Sequence, residues 1–246
     1  MDVRIIHFYP DLMDLYGSRA NVLALKRYLE HLDCDVTVEQ VFPGGGTDIA
    51  RGDFFYMGAG TERAARAAMA DFSRYAEPLK AAAADMAAML FAGTAMDLLG
   101  RSVKEADGSS YEGLGLASFT VEHGKRRVVG DVYGHTDLYP EAVVGFMNKC
   151  GAVTGVETPL LTALDLGFGN ERERGPEGFH WKNVFASQLT GPLLVKNPKL
   201  LETAAAAIYA RRGRPLPVDR PVDRWAQAAY AVTEEQLRAR AQAGKK

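Results

Sequence analysis

Cysteine is scarce in this chain: Cys34 and Cys150 are the two among 246 residues. Two such distant residues make neither a disulfide framework nor a four-cysteine zinc site. An excess of one charge is also lacking, since 29 Lys and Arg face 31 Asp and Glu for a net −2. That balance argues against a nucleic-acid partner. No run of about 18 apolar residues occurs, so no membrane-spanning helix is expected. Met1–Arg4 lacks the apolar stretch of a secretory signal, and a cytoplasmic location is expected. His7, His31, His123, His135 and His180 show no ligand spacing with one another or with cysteine, so neither a metal nor a cofactor is expected. Internal repeats, low-complexity tracts and a clear linker are absent as well. What remains is an ordinary globular composition, 47% hydrophobic and 24% charged.

The patterning is that of an α/β protein. Val3–Tyr9 is a short apolar, β-branched and aromatic run, read as a buried first strand ended by Pro10. Val22, Leu25, Leu29 and Leu32 then recur on one helical face, with Ser18 as the expected N-cap. Asp35–Val41 alternates as a strand, and Phe54–Met57 is a third, ending in Gly58-Ala59-Gly60. A helix carries Ala65, Met69, Phe72, Tyr75 and Leu79 on one face, with a kink or division expected at Pro78. Met89–Ala92 is a further strand, followed by Gly93 and a short helix through Leu99. This order predicts a mostly parallel sheet with helices on both faces, and a ligand site beyond the carboxyl ends of its strands.

After about residue 115 the texture changes. Leu116–Val121, Arg127–Tyr133, Ala142–Met147 and Asn183–Leu189 read as strands punctuated by glycines, an expected partly antiparallel extension of the same sheet. Pro198–Ala210 and Val222–Ala243 read as the last helices. The tail from Arg211 holds nine basic and four acidic residues. Val222, Trp225, Ala229 and Val232 form a face on its helix, suited to docking on the domain or on a partner. The expected division is a domain over 1–210 and a basic helical extension over 211–246.

Few motifs carry chemistry. Gly44-Gly45-Gly46 lacks the Gly-Lys-Ser/Thr of a phosphate loop and reads as a plain loop. Gly58–Arg63 sits where a strand enters a helix, so its backbone N–H groups could face an anion or an oxyanion. His7 reads as a satisfied core histidine, and His123 and His135 fall near expected turns. Cys34 precedes a strand and Cys150 an expected turn at Gly151. Neither sits at a strand-to-helix elbow, where a nucleophile is exposed and activated. The elbow layout belongs to Met89–Gly100, yet Gly93 has no side chain and Thr94 has no evident base beside it.

Six segments in order give the sequence a family likeness. They are His7–Gly17 with Asn21, Gly58–Arg63, the elbow ending Leu98-Leu99-Gly100, Val144–Asn148, Gly167–Asn170 with Gly178–Phe185, and Gly191–Pro198. Together they resemble the glutaminase subunits of lipid II isoglutaminyl synthase, in the cobyric acid synthase-like branch of class I glutamine amidotransferases. The resemblance implies the flavodoxin-like class I amidotransferase fold. It also implies a Mur-ligase-like synthetase partner that amidates the D-glutamate of the peptidoglycan stem in cell-wall synthesis.

It further implies a cysteine nucleophile in a Cys-Gly-Gly-Tyr-Gln-Leu-Leu-Gly-like string and a histidine directly before Gly-Pro-Leu-Leu. Counted from those anchors, the two positions here are Gly93 and Thr190. Glutamine hydrolysis needs a thiolate to attack the amide and a base to move its proton. The expectation is therefore a pseudoenzyme without glutaminase activity. Gly58, Gly60 and Arg127 are the expected substrate-binding positions. Arg127 is named because the resemblance implies an arginine for glutamine near this strand and a guanidinium forks onto a carboxylate. Arg126 and Arg127 read equally well as solvated strand-end charges. Three alternatives stand beside a scaffold or regulator role. One is a non-catalytic module binding glutamine, another amino acid or a nucleotide-like ligand. Another is a cobyric acid synthase-like amidotransferase relative. The third, ranked last, is chemistry relocated to Cys34, Cys150 or a histidine.

Overall fold

Two sheets share the chain in the computed structural model, which describes residues 1–220 and 222–244. Pro221 and the two lysines that end the basic tail, Lys245 and Lys246, lie outside the described residues.

The first half is built as its periodicity demands. Strand β1 (Asp2–Phe8) leads through helix α1 (Ala20–Glu30) to β2 (Asp35–Val41) and β3 (Phe54–Met57). Helices α2 (Glu62–Phe72) and α3 (Ala76–Ala84) lead to β4 (Ala88–Ala92), and a 3-10 helix follows over Gly93–Leu99. Strands β1, β2, β3 and β4 pair in parallel in the spatial order β2-β1-β3-β4. Their alternating side chains feed two cores. Ile6, Phe8, Phe55, Met57 and Phe91 pack with Met69, Phe72 and Leu79 of the α2–α3 side. Val3, Ile5, Phe54 and Leu90 pack with Val22, Leu25 and Leu29 of α1 on the other. Buried on both faces, β3 and β4 and most of β1 read as apolar runs, whereas the edge strand β2 alternates.

The helix after β3 divides at a 3-10 turn over Ser73–Tyr75, ahead of Pro78. Pro78 lies in the first turn of α3, where its missing N–H costs nothing. Ser18 does not cap α1. That helix starts beside Arg19 without a side-chain cap, while the Asp14 carboxylate accepts from the Arg19 N–H at 2.6 Å. The Gly58 turn approaches so closely that Ser18 Oγ serves it instead, accepting from Ala59 N at 3.2 Å and sharing a 2.7 Å bond with the Tyr56 hydroxyl.

The middle of the chain is a second sheet, not an extension of the first. It contains β5 (Ser102–Lys104), β6 (Ser110–Glu112), β7 (Thr120–Thr136), β8 (Tyr139–Thr154) and β9 (Ala163–Leu166). Strands β7 and β8 form one long antiparallel hairpin, with register shifts after His123 and after Gly134. Leu116–Phe119 precede β7 rather than belonging to it, and Cys150 lies inside β8 rather than in a turn. Of the glycines that suggested breaks, Gly134 and Gly145 are close-approach positions within the strands. A Cβ on Gly134 would meet Leu164 Cδ2 at 2.4 Å, and one on Gly145 would meet Leu189 Cδ1 at 2.7 Å.

The chain then returns. Strands β10 (Phe179–Trp181) and β11 (Val184–Ser187) extend the first sheet, β11 lying parallel to β4. After Gln188 the chain crosses into β12 (Leu189–Thr190), which pairs with β8. The expected single strand Asn183–Leu189 is thus divided between two sheets. Helices α4 (Leu193–Lys196), α5 (Pro198–Arg211) and α6 (Arg224–Ala243) complete the fold.

Helix α6 lies on the second sheet through Leu237 and Ala241, which pack with Tyr133, Ala142 and Val144. Tyr230 donates to the Ala142 carbonyl and Tyr133 to the Glu234 carboxylate, each at 2.7 Å. The face expected to dock turns outward rather than onto the domain: Val222, Trp225 and Val232 are 72%, 73% and 61% exposed. The reason is that Tyr230, Leu237 and Ala241 supply the buried side. Among the described residues no helix is long and apolar enough to cross a membrane.

Candidate functional site

A cleft of about 140 Å³ opens at the carboxyl ends of β3, β4 and β11, lined by Gly60, Gly93, Arg127, Cys150, Gln188 and Thr190 among others. Parallel pairing explains why Gly93 and Thr190 meet. Ser187 of β11 is in register with Ala92 of β4, so the chain leaving β11 passes beside the turn that leaves β4. Gly93 occupies the left-handed region at φ +63°, at the sharp change from strand to 3-10 helix. A Cβ placed on Gly93 would lie 2.6 Å from Ala59 Cβ and 3.7 Å from Thr190 Cγ2. The Thr190 hydroxyl donates to the Phe146 carbonyl at 3.1 Å. No ionisable atom of either residue faces the other.

The turn after β3 forms one wall. Gly58 and Gly60 have no room for side chains: a Cβ would fall 2.5 Å from Ser18 Oγ and 2.5 Å from Met13 Sδ respectively. Thr61 caps α2 by accepting from Ala64 N at 3.0 Å, and Glu62 lies in its first turn, where the helix dipole favours a carboxylate. The Gly60 N–H does not face open space. It donates to Thr94 Oγ1 at 2.9 Å, and the same hydroxyl donates to the Gly60 carbonyl at 3.0 Å.

Arg127 reaches the cleft mouth from β7. Its Nε donates to Asn148 Oδ1 at 2.6 Å, Nη2 to the Asn148 carbonyl at 2.8 Å and Nη1 to Glu62 Oε1 at 2.5 Å. Asn148 in turn donates to the Tyr16 hydroxyl at 2.8 Å, and Tyr16 stands at φ +61° over the mouth. Burial raises the Glu62 carboxyl, but hydrogen bonds, chiefly from Arg127, outweigh it and hold the group below the usual carboxylate range. Cys150 donates its thiol to Glu62 Oε1 at 3.2 Å. Burial and this carboxylate push the thiol up to about 12, far from the thiolate that nucleophilic chemistry requires. Cys34 is remote, packed in the core on the α1 side with Sγ 3.2 Å from the Tyr209 hydroxyl.

Asp97, Lys149 and Gln188 line the cleft floor and belong to a polar chain that continues beneath it. Asp97, from the 3-10 helix, accepts from Gln188 Nε2 at 2.8 Å and bonds His123 Nε2 at 3.1 Å, while His123 Nδ1 bonds Glu105 at 2.9 Å. Burial lowers His123, but the hydrogen bonds and charges of Asp97 and Glu105 prevail and hold it up to about 9. Lys149 donates to Gln188 Oε1 at 2.5 Å and to the carbonyls of Gly169 and Asn170 at 2.6 and 2.8 Å. Burial draws it down to about 8. Glu177, fully buried, is pushed up to about 7 and accepts from Gln188 N and Ser187 Oγ.

Sequence reading missed this chain because its members are distant and lie on six different segments. A clue available in the sequence was Asp97 at a position that is glutamine in the family string. His123 lies inside β7, not near a turn. His7 is buried but not satisfied, its Nε2 lacking a hydrogen-bond partner among the described residues. Burial takes it down to about 4, so it stays neutral against the Tyr56 ring.

Comparison with known proteins agrees with this architecture. Residues 4–198 match the family model for the CobB/CobQ-like glutamine amidotransferase domain. The chain is 30% identical over 214 residues to the GatD subunit of the glutamine-hydrolysing lipid II isoglutaminyl synthase of Staphylococcus aureus, covering 87% of each. It is 31% identical over 201 residues to the GatD subunit from Streptococcus pneumoniae, covering 80% of this chain and 77% of that one. The crystal structure of a glutamine amidotransferase from Thermotoga maritima shares the fold, with a TM-score of 0.53 at 9% identity, over 98% of this chain and 94% of that chain. With the family model matched over most of its length and relatives at this identity, the chain belongs to the CobB/CobQ-like glutamine amidotransferase family.

Proposed function

We propose that this chain does not hydrolyse glutamine and serves as the accessory subunit, scaffold or regulator, of a Mur-ligase-like synthetase that amidates the D-glutamate of the peptidoglycan stem. The observation that carries the first half is the pair Gly93 and Thr190. They face each other across the elbow, and neither bears a thiol or an imidazole. Acylation would have no acceptor atom, and the threonine hydroxyl does not titrate near neutral pH. Cys150 offers no substitute, because its thiol stays protonated beside Glu62. The second half rests on the GatD relatives, each named as a subunit of a synthase. A synthetase supplied with free ammonia would need the contact without the glutaminase.

The test uses purified chain, L-glutamine and a coupled ammonia assay. Ammonia release at background is expected. A rate above background that Cys150→Ala or Cys34→Ala abolishes overturns the reading in favour of relocated chemistry. Co-expression with the Mur-ligase-like synthetase of the same genome tests the partner. Co-purification is expected, and its absence removes the scaffold role.

A second reading has one observation in its favour: the Arg127 guanidinium stands at the cleft mouth. If the cleft binds an amino acid without turnover, glutamine alone raises the melting temperature and Arg127→Ala removes the rise. No shift is expected for the scaffold.

A further inference from the structure

We propose that Ala59 and Thr94 close this cleft to the side-chain amide of glutamine, so that the reaction position is packed shut rather than merely emptied of its reactive groups. The inference rests on the reading that Gly93 and Thr190 stand at the nucleophile and histidine positions, and it adds two residues to them.

Two observations carry it independently. The first is space. A glycine at an elbow would by itself leave room the size of the missing side chain. Here the Ala59 methyl lies 2.6 Å and its Cα 3.1 Å from where a Cβ on Gly93 would be. Real Cβ atoms do not approach that closely, so the neighbouring turn occupies the place a side chain would need. The Thr190 methyl carbon stands at ordinary contact distance on the opposite side.

The second is hydrogen bonding. A peptide N–H in the turn that leads from β3 into α2, aimed at the elbow, is the donor that would hold the oxygen of an attacked amide. The hydroxyl of Thr94 takes that donor and returns its own proton to the Gly60 carbonyl. The single side chain thus satisfies both polar groups of Gly60. An entering amide oxygen would have to displace a matched pair of bonds and leave the threonine hydroxyl to find new ones. Where the resembling string has glycine at this position, the donor has no resident side chain.

The decisive experiment compares thiol labelling by the diazoketone analogue of glutamine in two proteins. In this reaction the sulfur bonds to the diazo carbon, dinitrogen leaves, and the thiol proton ends on that carbon. One protein carries Gly93→Cys and Thr190→His, and the other adds Ala59→Gly and Thr94→Gly. The four-substitution protein is expected to gain the label at least about tenfold faster, by intact mass. Equal rates overturn the closure proposal, as does absence of labelling from the four-substitution protein with its circular dichroism unchanged. A third protein, lacking only Thr190→His, separates the underlying reading. Labelling that ignores this change refutes the histidine position, whatever Ala59 and Thr94 do.

A conservative variant keeps the test usable if the multiple variants fail to fold. Thr94→Val preserves shape and removes the hydroxyl, so exchange of the Gly60 amide hydrogen is expected to quicken about tenfold. Thr94→Ser should leave it near the wild-type rate. Unchanged exchange in Thr94→Val overturns the proposal.

Discussion

The elbow and the floor of one cleft have opposite characters. At the elbow, Gly93, Thr94 and Thr190 carry no group that titrates near neutral pH, and their hydrogen bonds end on nearby peptide groups. On the floor, Asp97, His123, Lys149 and Glu177 are ionisable and almost wholly buried. His123 and Lys149 come from the second sheet, Asp97 and Glu177 from segments that adjoin strands of the first, and Gln188 from the crossover between them, so their hydrogen bonds tie the sheets together. The contrast teaches that buried charge marks a structural join in this molecule. Perturbed titration alone would have pointed to His123 and Lys149 as reactive groups, an inference that holds only in probability.

The comparison can be broken most forcefully at the floor. His123→Ala leaves Asp97 and Glu105 facing a void, and removing one member of a buried ionic group typically costs about 3–5 kcal/mol. Urea denaturation measures this, and a loss below about 1 kcal/mol would erase the distinction between floor and elbow. The pH dependence follows from the same residue. His123 is held at about 9 in the fold against an ordinary 6.5, so the folded state grips the proton more tightly. Its stabilisation is fully present below 6.5 and is lost as pH rises through about 9. Lys149, drawn down to about 8, acts with the opposite sign in wild type and variant alike. The stability gap between wild type and His123→Ala should therefore shrink across that window.

At the elbow the expected effect is smaller. Gly93→Ala places a Cβ at φ +63° and against Ala59, for a cost of about 1–3 kcal/mol. Adding Ala59→Gly should return part of that loss, a coupling that two independent sites would not show. The smallest effect is expected far from both regions. Trp225 is 73% exposed on α6, and Trp225→Ala should change stability by no more than about 0.5 kcal/mol. A larger loss in thermal unfolding would mean that this face is covered.

Legibility followed the range of the interactions. Asp35–Val41 and Phe54–Met57 coincide with β2 and β3, because an edge strand announces itself by alternation and a strand buried on both faces by consecutive apolar residues. The β7–β8 hairpin was not legible as one unit. Its glycines look like punctuation until the side chains of Leu164 and Leu189 are seen lying over them. Ser18 carried the chemistry of a helix cap, yet the Gly58 turn, distant in sequence, offered its hydroxyl other partners.

By itself the sequence determined the parallel half of the fold, the location of the elbow and the absence of a thiol and an imidazole there. Each depends on residue identity and short spacing, which a linear chain displays. Tertiary structure alone decided what stands against Gly93. A glycine does not say which neighbours surround it. That choice was made by strand pairing, which sets the turn after β3 and the Gln188 crossover on either side of the elbow, and so puts Ala59 and Thr190 against a position that neither approaches in sequence.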